Sequence, residues 1–198
     1  MKKLVSVISV LSLVVCLSVP VLATDNLSKE SSEMIITEDT TLGELIEVTN
    51  PETYYSFTEK EREYLNSMNL IDLEENGKDS FETKSQTRGW TPSFAAAISS
   101  DVSSPRRAEL SYSASLSASQ ACPTLYLAAT GSEALTGKIV SSMGNTRNNS
   151  KQVTVANRRG NLISGRRYKV YFYGVVTAPY GLVPPTGVVT STKYINLK

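Results

Sequence analysis

The sequence from residue 89 onward alternates apolar and polar residues with a period of two. The stretch RAELSYSASLSA puts mainly serines on one face and four apolar residues on the other, Leu110, Tyr112, Ala114 and Leu116. Such alternation is typical of a β-strand with one buried and one solvent-facing side. Six other runs complete the set: FAAAISSDV, TLYLAAT, LTGKIVSS, KQVTVAN, RYKVYFYGVV and GVVTSTKYINL. Short strands between turns rich in Gly, Pro, Asn and Ser predict an all-β domain over residues 89–198, a seven-stranded sandwich of two antiparallel sheets.

A leucine, a glycine and a tyrosine stand three residues apart at the start of RYKVYFYGVV: Leu162, Gly165 and Tyr168. This motif resembles the tyrosine corner of fibronectin type III and other immunoglobulin-like sandwiches. The resemblance covers residues 90–198. It implies that the Tyr168 ring fills the core, that its hydroxyl bonds to backbone near Leu162, and that Gly165 turns with positive φ.

The chain begins with an apolar leader over residues 1–23, continues with an acidic stretch and a TRG junction at residues 87–89, and ends with the serine-rich β-domain. This order of segments also resembles a group of small secreted proteins of Gram-positive bacteria that have no assigned function. That resemblance implies export and a β-sandwich, and it supplies neither a substrate nor a site.

The first 23 residues have the layout of a secretory signal peptide. Two lysines precede an apolar run over residues 4–19, and small Ala23 stands at an A-x-A-like cleavage site. We therefore expect cleavage after Ala23 and a secreted or surface-associated protein. A membrane anchor is an alternative, although spanning takes about 20 apolar residues with suitable flanks. Lipid attachment at Cys16 is another.

Cleavage after Ala23 would remove one of the two cysteines and leave Cys122 alone. A single cysteine forms no intramolecular disulfide. We expect Cys122 to be a small buried hydrophobic residue, with an intermolecular disulfide as the alternative.

Charge divides the remaining chain into two parts. Residues 24–88 hold 16 acidic and 6 basic side chains, a net charge of −10, whereas residues 89–198 hold 3 acidic and 12 basic side chains, a net charge of +9. The two segments should attract each other.

The acidic segment is predicted to be a flexible arm with one short helix. Residues 24–57 are read as mostly disordered, because a polar, acidic segment poor in aromatics buries too little apolar surface to offset its ordering entropy. Residues 58–72 are read as an amphipathic helix, in which Thr58 and Glu61 form a capping box. Its apolar stripe must pack on the β-domain or on a partner: Tyr64, Leu65, Met68 and Ile71.

Residues 73–88 are predicted to be a polar linker that ends at Arg88. An exposed arginine in a flexible linker is a candidate site for proteolytic cleavage. An ordinary, uncut linker is the alternative.

The composition argues against catalysis and metal binding. The chain has no histidine, and histidine is the commonest general base and metal ligand. The β-domain has only three acidic residues, Asp101, Glu109 and Glu133, and their predicted positions do not place two carboxylates in one cleft. No phosphate-binding glycine motif is present. We therefore expect no enzyme activity, no cofactor and no metal.

Three arginine doublets stand beside predicted strand ends. In the strand order of the fibronectin family these ends fall at one pole, so six guanidinium groups would converge there. Such a group suits contact with a phosphate or carboxylate polymer. The alternative is a solvated rim that the acidic arm neutralises. The residues are Arg106, Arg107, Arg158, Arg159, Arg166 and Arg167.

Tyrosines are the other binding candidates. Tyr171 and Tyr173 alternate with inward-facing Tyr168, so they should face outward, where Tyr126 could join them to stack on sugars or meet a protein. Cross-strand pairing on a solvated sheet is the alternative. Tyr180 lies in the proline-rich loop 178–187, which is read either as a recognition loop or as a rigid spacer.

Three functions are compatible with these features. The first is a secreted, non-catalytic module that binds an anionic cell-envelope polymer or a protein partner. The second is a precursor whose acidic arm masks a basic β-domain until cleavage near Arg88. The third is a structural subunit of a surface layer or matrix.

Overall fold

A computed structural model describes residues 34–85 and 94–198. Four short helices come first: α1 (Leu42–Thr49), α2 (Pro51–Ser56), α3 (Glu59–Asn66) and α4 (Leu70–Asn76). Seven strands follow: β1 (Ser80–Ser85), β2 (Phe94–Ser103), β3 (Leu110–Glu133), β4 (Ile139–Arg159), β5 (Arg167–Thr177), β6 (Leu182–Val183) and β7 (Thr186–Asn196). The predicted signal peptide, Ala23 and Arg88 lie outside the described residues.

The strands form one antiparallel sheet with the order β6-β1-β2-β3-β5-β7, and β4 pairs with the other edge of β3. Strand β1 pairs with both β2 and β6. The Oγ atoms of Ser100 in β2 and Ser191 in β7 lie 2.9 Å apart. The sheet thereby curls into a near-closed barrel, which confirms the predicted all-β antiparallel class in this coarser form.

The two longest strands replace four strands that the sequence predicted as separate. Strand β3 joins the two runs on either side of QACP, and β4 joins LTGKIVSS to KQVTVAN. The pairing of β3 with β4 shifts register between Ser117 and Cys122 without ending. Pro123 lies between the part of β3 that pairs with β2, which ends at Ala118, and the part that pairs with β5, which begins at Thr124, so its missing N–H breaks no strand pairing on that edge.

The β3–β4 hairpin folds back on itself at this irregular point. Leu110 near the start of β3 packs against Gly131 near its end, where an added Cβ would lie 3.1 Å from the Leu110 side chain. The Tyr112 hydroxyl likewise lies 2.7 Å from Ser141 Oγ of β4. Both halves of the hairpin therefore enclose one core.

The alternation predicted from the sequence gives the inner face of the barrel. The residues predicted to point inward are all buried in one cluster, joined by Cys122 at the bend. Alternation is maintained because side chains of neighbouring residues point to opposite faces of a strand. These residues are Leu110, Tyr112, Ala114, Leu116, Leu125, Leu127, Ala129, Val153, Val155, Tyr168, Val170 and Phe172.

A second core lies on the outer face of β3 and β5, beneath the helices. Its sheet residues include tyrosines that sequence analysis expected to face solvent. Many of its other residues come from the segment that sequence analysis expected to be mostly disordered. From the helices come Leu42, Leu45, Ile46, Tyr54, Phe57, Leu65 and Leu70, and from the sheet come Tyr126, Ala128, Ile139, Tyr171, Tyr173 and Val175.

The acidic segment between residues 41 and 76 is therefore helical and packed, contrary to the flexible arm with one helix. Thr41 and Glu44 form a capping box at the start of α1, as Thr58 and Glu61 do at the start of α3. Apolar residues at helical spacing outweigh the acidic average composition, because the sheet offers a surface on which to bury them. The predicted helix over 58–72 is two helices, α3 and α4, with Asn69 capping the second.

The predicted linker also differs from the structure. Its residues 80–85 form β1, whose backbone extends the sheet from β2. Phe81 of β1 packs edge-on against Phe94 of β2, with ring centroids 6.2 Å apart.

Candidate functional site

The three arginine doublets lie at one end of the barrel. We call this the arginine end and define it by Arg106, Arg107, Arg158, Arg159, Arg166 and Arg167. Its loops are tied by backbone hydrogen bonds. The Leu162 N–H donates to Ala108 O at 3.0 Å, the Ala108 N–H to Lys198 O at 2.9 Å, and the Gly165 N–H to Leu197 O at 2.9 Å.

The tyrosine-corner residues fix one of these loops. The Tyr168 ring is buried, and its hydroxyl accepts a hydrogen bond of 3.2 Å from the Ile163 N–H, next to Leu162. Gly165 has φ +79°, a conformation that glycine adopts without steric cost. The roles predicted for Leu162, Gly165 and Tyr168 match this geometry, and they hold the loop that carries Arg166.

Half of the guanidinium groups at the arginine end have partners within the domain. Arg158 Nε lies 3.0 Å from Glu109 Oε1. Arg166 pairs with Glu133, and this hydrogen bond lowers the pKa of that carboxyl. The Arg167 guanidinium lies 4.3 Å from the centroid of the Tyr194 ring, a cation–π contact.

The other three arginines point into solvent. Arg106, Arg107 and Arg159 are exposed, and their side chains have no hydrogen-bond or ion-pair partner among residues 34–85 and 94–198. Among the described residues, two side-chain carboxylates pair with the six guanidinium groups, those of Glu109 and Glu133. The arginine end therefore keeps an excess of positive charge that neither the helices nor the sheet neutralises, and its free groups can make bidentate contacts with phosphate or carboxylate oxygens.

The tyrosines predicted to face outward are buried instead. Tyr126, Tyr171 and Tyr173 retain 0%, 4% and 1% of their exposure. They do lie on the opposite face to Tyr168, as alternation requires, but helices α1 to α4 cover that face. They are therefore not available for stacking on a ligand in this arrangement.

A half-buried carboxylate anchors the helices to this face. Glu74 of α4 accepts hydrogen bonds from Tyr171 (2.7 Å), Lys169 (3.0 Å) and Tyr194. Burial alone would raise the pKa of Glu74, but these hydrogen bonds lower it overall. Burial and the bond to Glu74 raise the pKa of Tyr171, and they raise that of Tyr194 to about 12. We refer to these four residues as the Glu74 cluster, which sequence analysis missed because its members are about a hundred residues apart.

Tyr180 is far from the arginine end. It is fully exposed in the loop that follows Thr177, at the opposite end of β5 from Arg167. The predicted binding residues therefore do not form one site: the arginines meet at one end, Tyr180 stands near the other, and Tyr171 and Tyr173 lie in the second core.

Comparison with known proteins adds little. No protein-family model matches the chain, and no curated protein matches it. Among solved structures, the chain is similar to the solution structure of AT1g01470 from Arabidopsis thaliana, with 15% sequence identity, 59% of this chain and 81% of that chain covered, and a TM-score of 0.29. A similarity at this level supports no argument about fold or function. No helix within the described ranges is both long and apolar enough to cross a membrane.

Proposed function

We propose that the protein is a secreted, non-catalytic binding module whose arginine end contacts an anionic polymer of the cell envelope. The observation that carries this proposal is the convergence of six exposed arginines in and beside two loops, β2–β3 and β4–β5, three of them without partners among the described residues. Guanidinium groups bind phosphate and carboxylate oxygens in paired, directional contacts. The immunoglobulin-like topology belongs to the same proposal, and the Tyr168–Ile163 hydrogen bond supports it.

The proposal is tested by binding to purified cell envelope at increasing salt. Exposed charge pairs are screened within about 8 Å at physiological ionic strength, so binding should fall steeply as salt rises. The double variant Arg107→Gln/Arg159→Gln removes two unpartnered charges and should weaken binding severalfold, because each exposed contact with a charged partner contributes up to about 1 kcal/mol.

A charge-matched control variant lies near the bend of the β3–β4 hairpin, away from the arginine end. Arg147→Gln/Lys151→Gln removes the same charge from exposed positions near the bend of β4. It should leave binding within about twofold of wild type, since the change in net charge alone has a weak effect at physiological salt. Equal loss in both double variants, or binding that is insensitive to salt, would refute a site at the arginine end.

A second candidate function is a precursor whose helical segment masks the β-domain. Its support is that the segment covers Tyr126, Tyr171 and Tyr173, so the masked surface would be this tyrosine face and not the arginine end. The N-terminus of protein recovered from culture medium separates the two functions: Thr24 supports the intact binding module, and Gly89 supports a released product.

A further inference from the structure

Exposed aliphatic side chains cluster around the arginine end. Among the described residues five large aliphatics are exposed, and three of them stand here: Leu135 at 91%, Ile35 at 55% and Ile163 at 51%. The other two, Val48 and Val183, lie on α1 and in β6. Single exposed aliphatics are common on protein surfaces, but the presence of three of them at the end that carries the arginine doublets calls for a reason.

Each of the three is held by backbone contacts at the edge of this end. Leu135 lies in the β3–β4 turn, where the Ala134 N–H donates to Arg167 O at 3.0 Å. The carbonyl of Ile163 accepts a bond of 3.4 Å from the Arg166 N–H. Ile35 forms a bridge with Lys138 in the same turn as Leu135.

The exposed aliphatics add something that contact with a soluble anionic polymer does not use. A hydrated phosphate or carboxylate chain offers charge and hydrogen-bond acceptors but no apolar phase in which Leu135 could be buried. Arginines lie close to two of the aliphatics: Ile163 precedes Arg166 by three residues, and the turn that carries Leu135 is bonded to the backbone of Arg167. Apolar tips interspersed with basic side chains fit the boundary between phosphate headgroups and acyl chains, where basic side chains are attracted to the headgroups and apolar side chains are buried below them.

We propose that the arginine end docks on the surface of an anionic phospholipid bilayer, with Leu135, Ile163 and Ile35 entering the interface and the arginines contacting lipid phosphates. This inference rests on the proposed function for its use of the arginines, and it adds the apolar component of the contact. In this orientation only the arginine end contacts the bilayer, so Tyr180 at the opposite end of the barrel points away from the lipid.

The test is sedimentation with vesicles of phosphatidylcholine and phosphatidylglycerol, compared with vesicles of phosphatidylcholine alone. The chain used begins at Thr24, because residues 4–19 are apolar enough to bind lipid themselves, and every described residue is retained. We expect binding to the anionic vesicles only. Leu135→Ser/Ile163→Ser should weaken it roughly tenfold or more, since burying one such side chain changes an equilibrium by about that factor.

Tyr180→Ser is the control, because this exposed side chain lies at the opposite end and its loss should leave vesicle binding unchanged. Circular dichroism confirms that the variants fold, which their exposure leads us to expect. Vesicle binding that persists in Leu135→Ser/Ile163→Ser, or that is lost in Tyr180→Ser, would overturn the docking proposal.

The same preparations separate this inference from the proposed function. Binding of cell-envelope polymer without binding to anionic vesicles would reject the bilayer and keep the arginine site. Loss of both kinds of binding in wild type would reject both proposals.

Discussion

Glu74 of α4 accepts a 2.7 Å hydrogen bond from the hydroxyl of Tyr171 in β5, which joins residues 97 positions apart in the sequence. The bond connects the acidic helical segment to the basic barrel at a specific place. The opposite net charges of the two segments predicted that they attract each other. In the structure, the half-buried carboxylate of Glu74 makes this contact and also accepts hydrogen bonds from Lys169 and Tyr194.

Glu74→Gln should destabilise the protein by about 1–2 kcal/mol. Hydrogen bonds to charged groups contribute about 1.5–3 kcal/mol, and partial exposure of the cluster reduces the effect. The neighbouring Glu75 is exposed, and its side chain has no hydrogen-bond or ion-pair partner within the described residues, so Glu75→Gln is the matched control and should be neutral. Urea denaturation measures both, and equal stability of the two variants would contradict an anchoring role for Glu74.

The contribution of Glu74 should depend on pH. Its pKa in the folded protein is lowered from the ordinary value of 4.5, so its carboxylate stabilises the fold above that value. This stabilisation is lost as the pH falls through the folded pKa. The difference between wild type and Glu74→Gln should therefore be full at about pH 7 and should shrink below about pH 4.5. A difference that stays constant down to about pH 3 would show that ionisation of Glu74 is not involved.

Tyr168 should tolerate loss of its hydroxyl but not of its ring. Tyr168→Phe removes one hydrogen bond to the Ile163 N–H, which costs about 1 kcal/mol. Tyr168→Ala empties a fully buried ring site, which costs about 3–5 kcal/mol. Unfolding free energies measured in urea should show this order. A Phe variant as unstable as the Ala variant would mean that the hydrogen bond, and not ring packing, dominates at this corner.

The faces of the barrel strands were predictable because alternation records burial directly. Leu110, Leu116, Tyr168 and Phe172 point inward as expected. The burial of Tyr171 and Tyr173 beneath the helices was not predictable, because alternation shows which face a side chain is on but not what packs against that face. The helix that contains Leu42, Leu45 and Ile46 was not predicted, because the segment is acidic overall and the run of apolar residues at helical spacing is short.

The meeting of the arginine doublets depended on topology. The sequence placed them beside strand ends, and they meet because the long hairpin folds back near Pro123 and brings both its ends to one side. The partners of Arg158 and Arg166 could not be read from the sequence, because Glu109 and Glu133 are brought to them by strand pairing between distant segments.

Gly187 allows β1 to close the barrel. A Cβ at this position would lie 2.2 Å from the ring of Phe81, so Gly187→Ala must displace that ring and its strand. Over-packing of this kind costs about 1–3 kcal/mol. Gly160 has nothing within 4 Å of an added Cβ, and Gly160→Ala should be neutral or slightly stabilising. Thermal unfolding of both variants is the measurement, and a Gly187→Ala protein as stable as wild type would show that β1 packs elsewhere.

The final prediction concerns a cut between residues 88 and 89. Strand β1 contributes backbone pairs to β2 and β6, and the helices bury Leu42, Leu45 and Leu65 against the sheet. These contacts lie on the N-terminal side of the cut, so cleavage alone should not release the fragment. A specific protease site inserted between residues 88 and 89 of the chain that begins at Thr24 allows the cut to be made cleanly. We expect both fragments to elute together from a size-exclusion column, and to separate only in denaturant. Free elution of the basic domain in native buffer would instead favour a precursor that is activated by cleavage, because only then would Tyr171 and Tyr173 become exposed without unfolding.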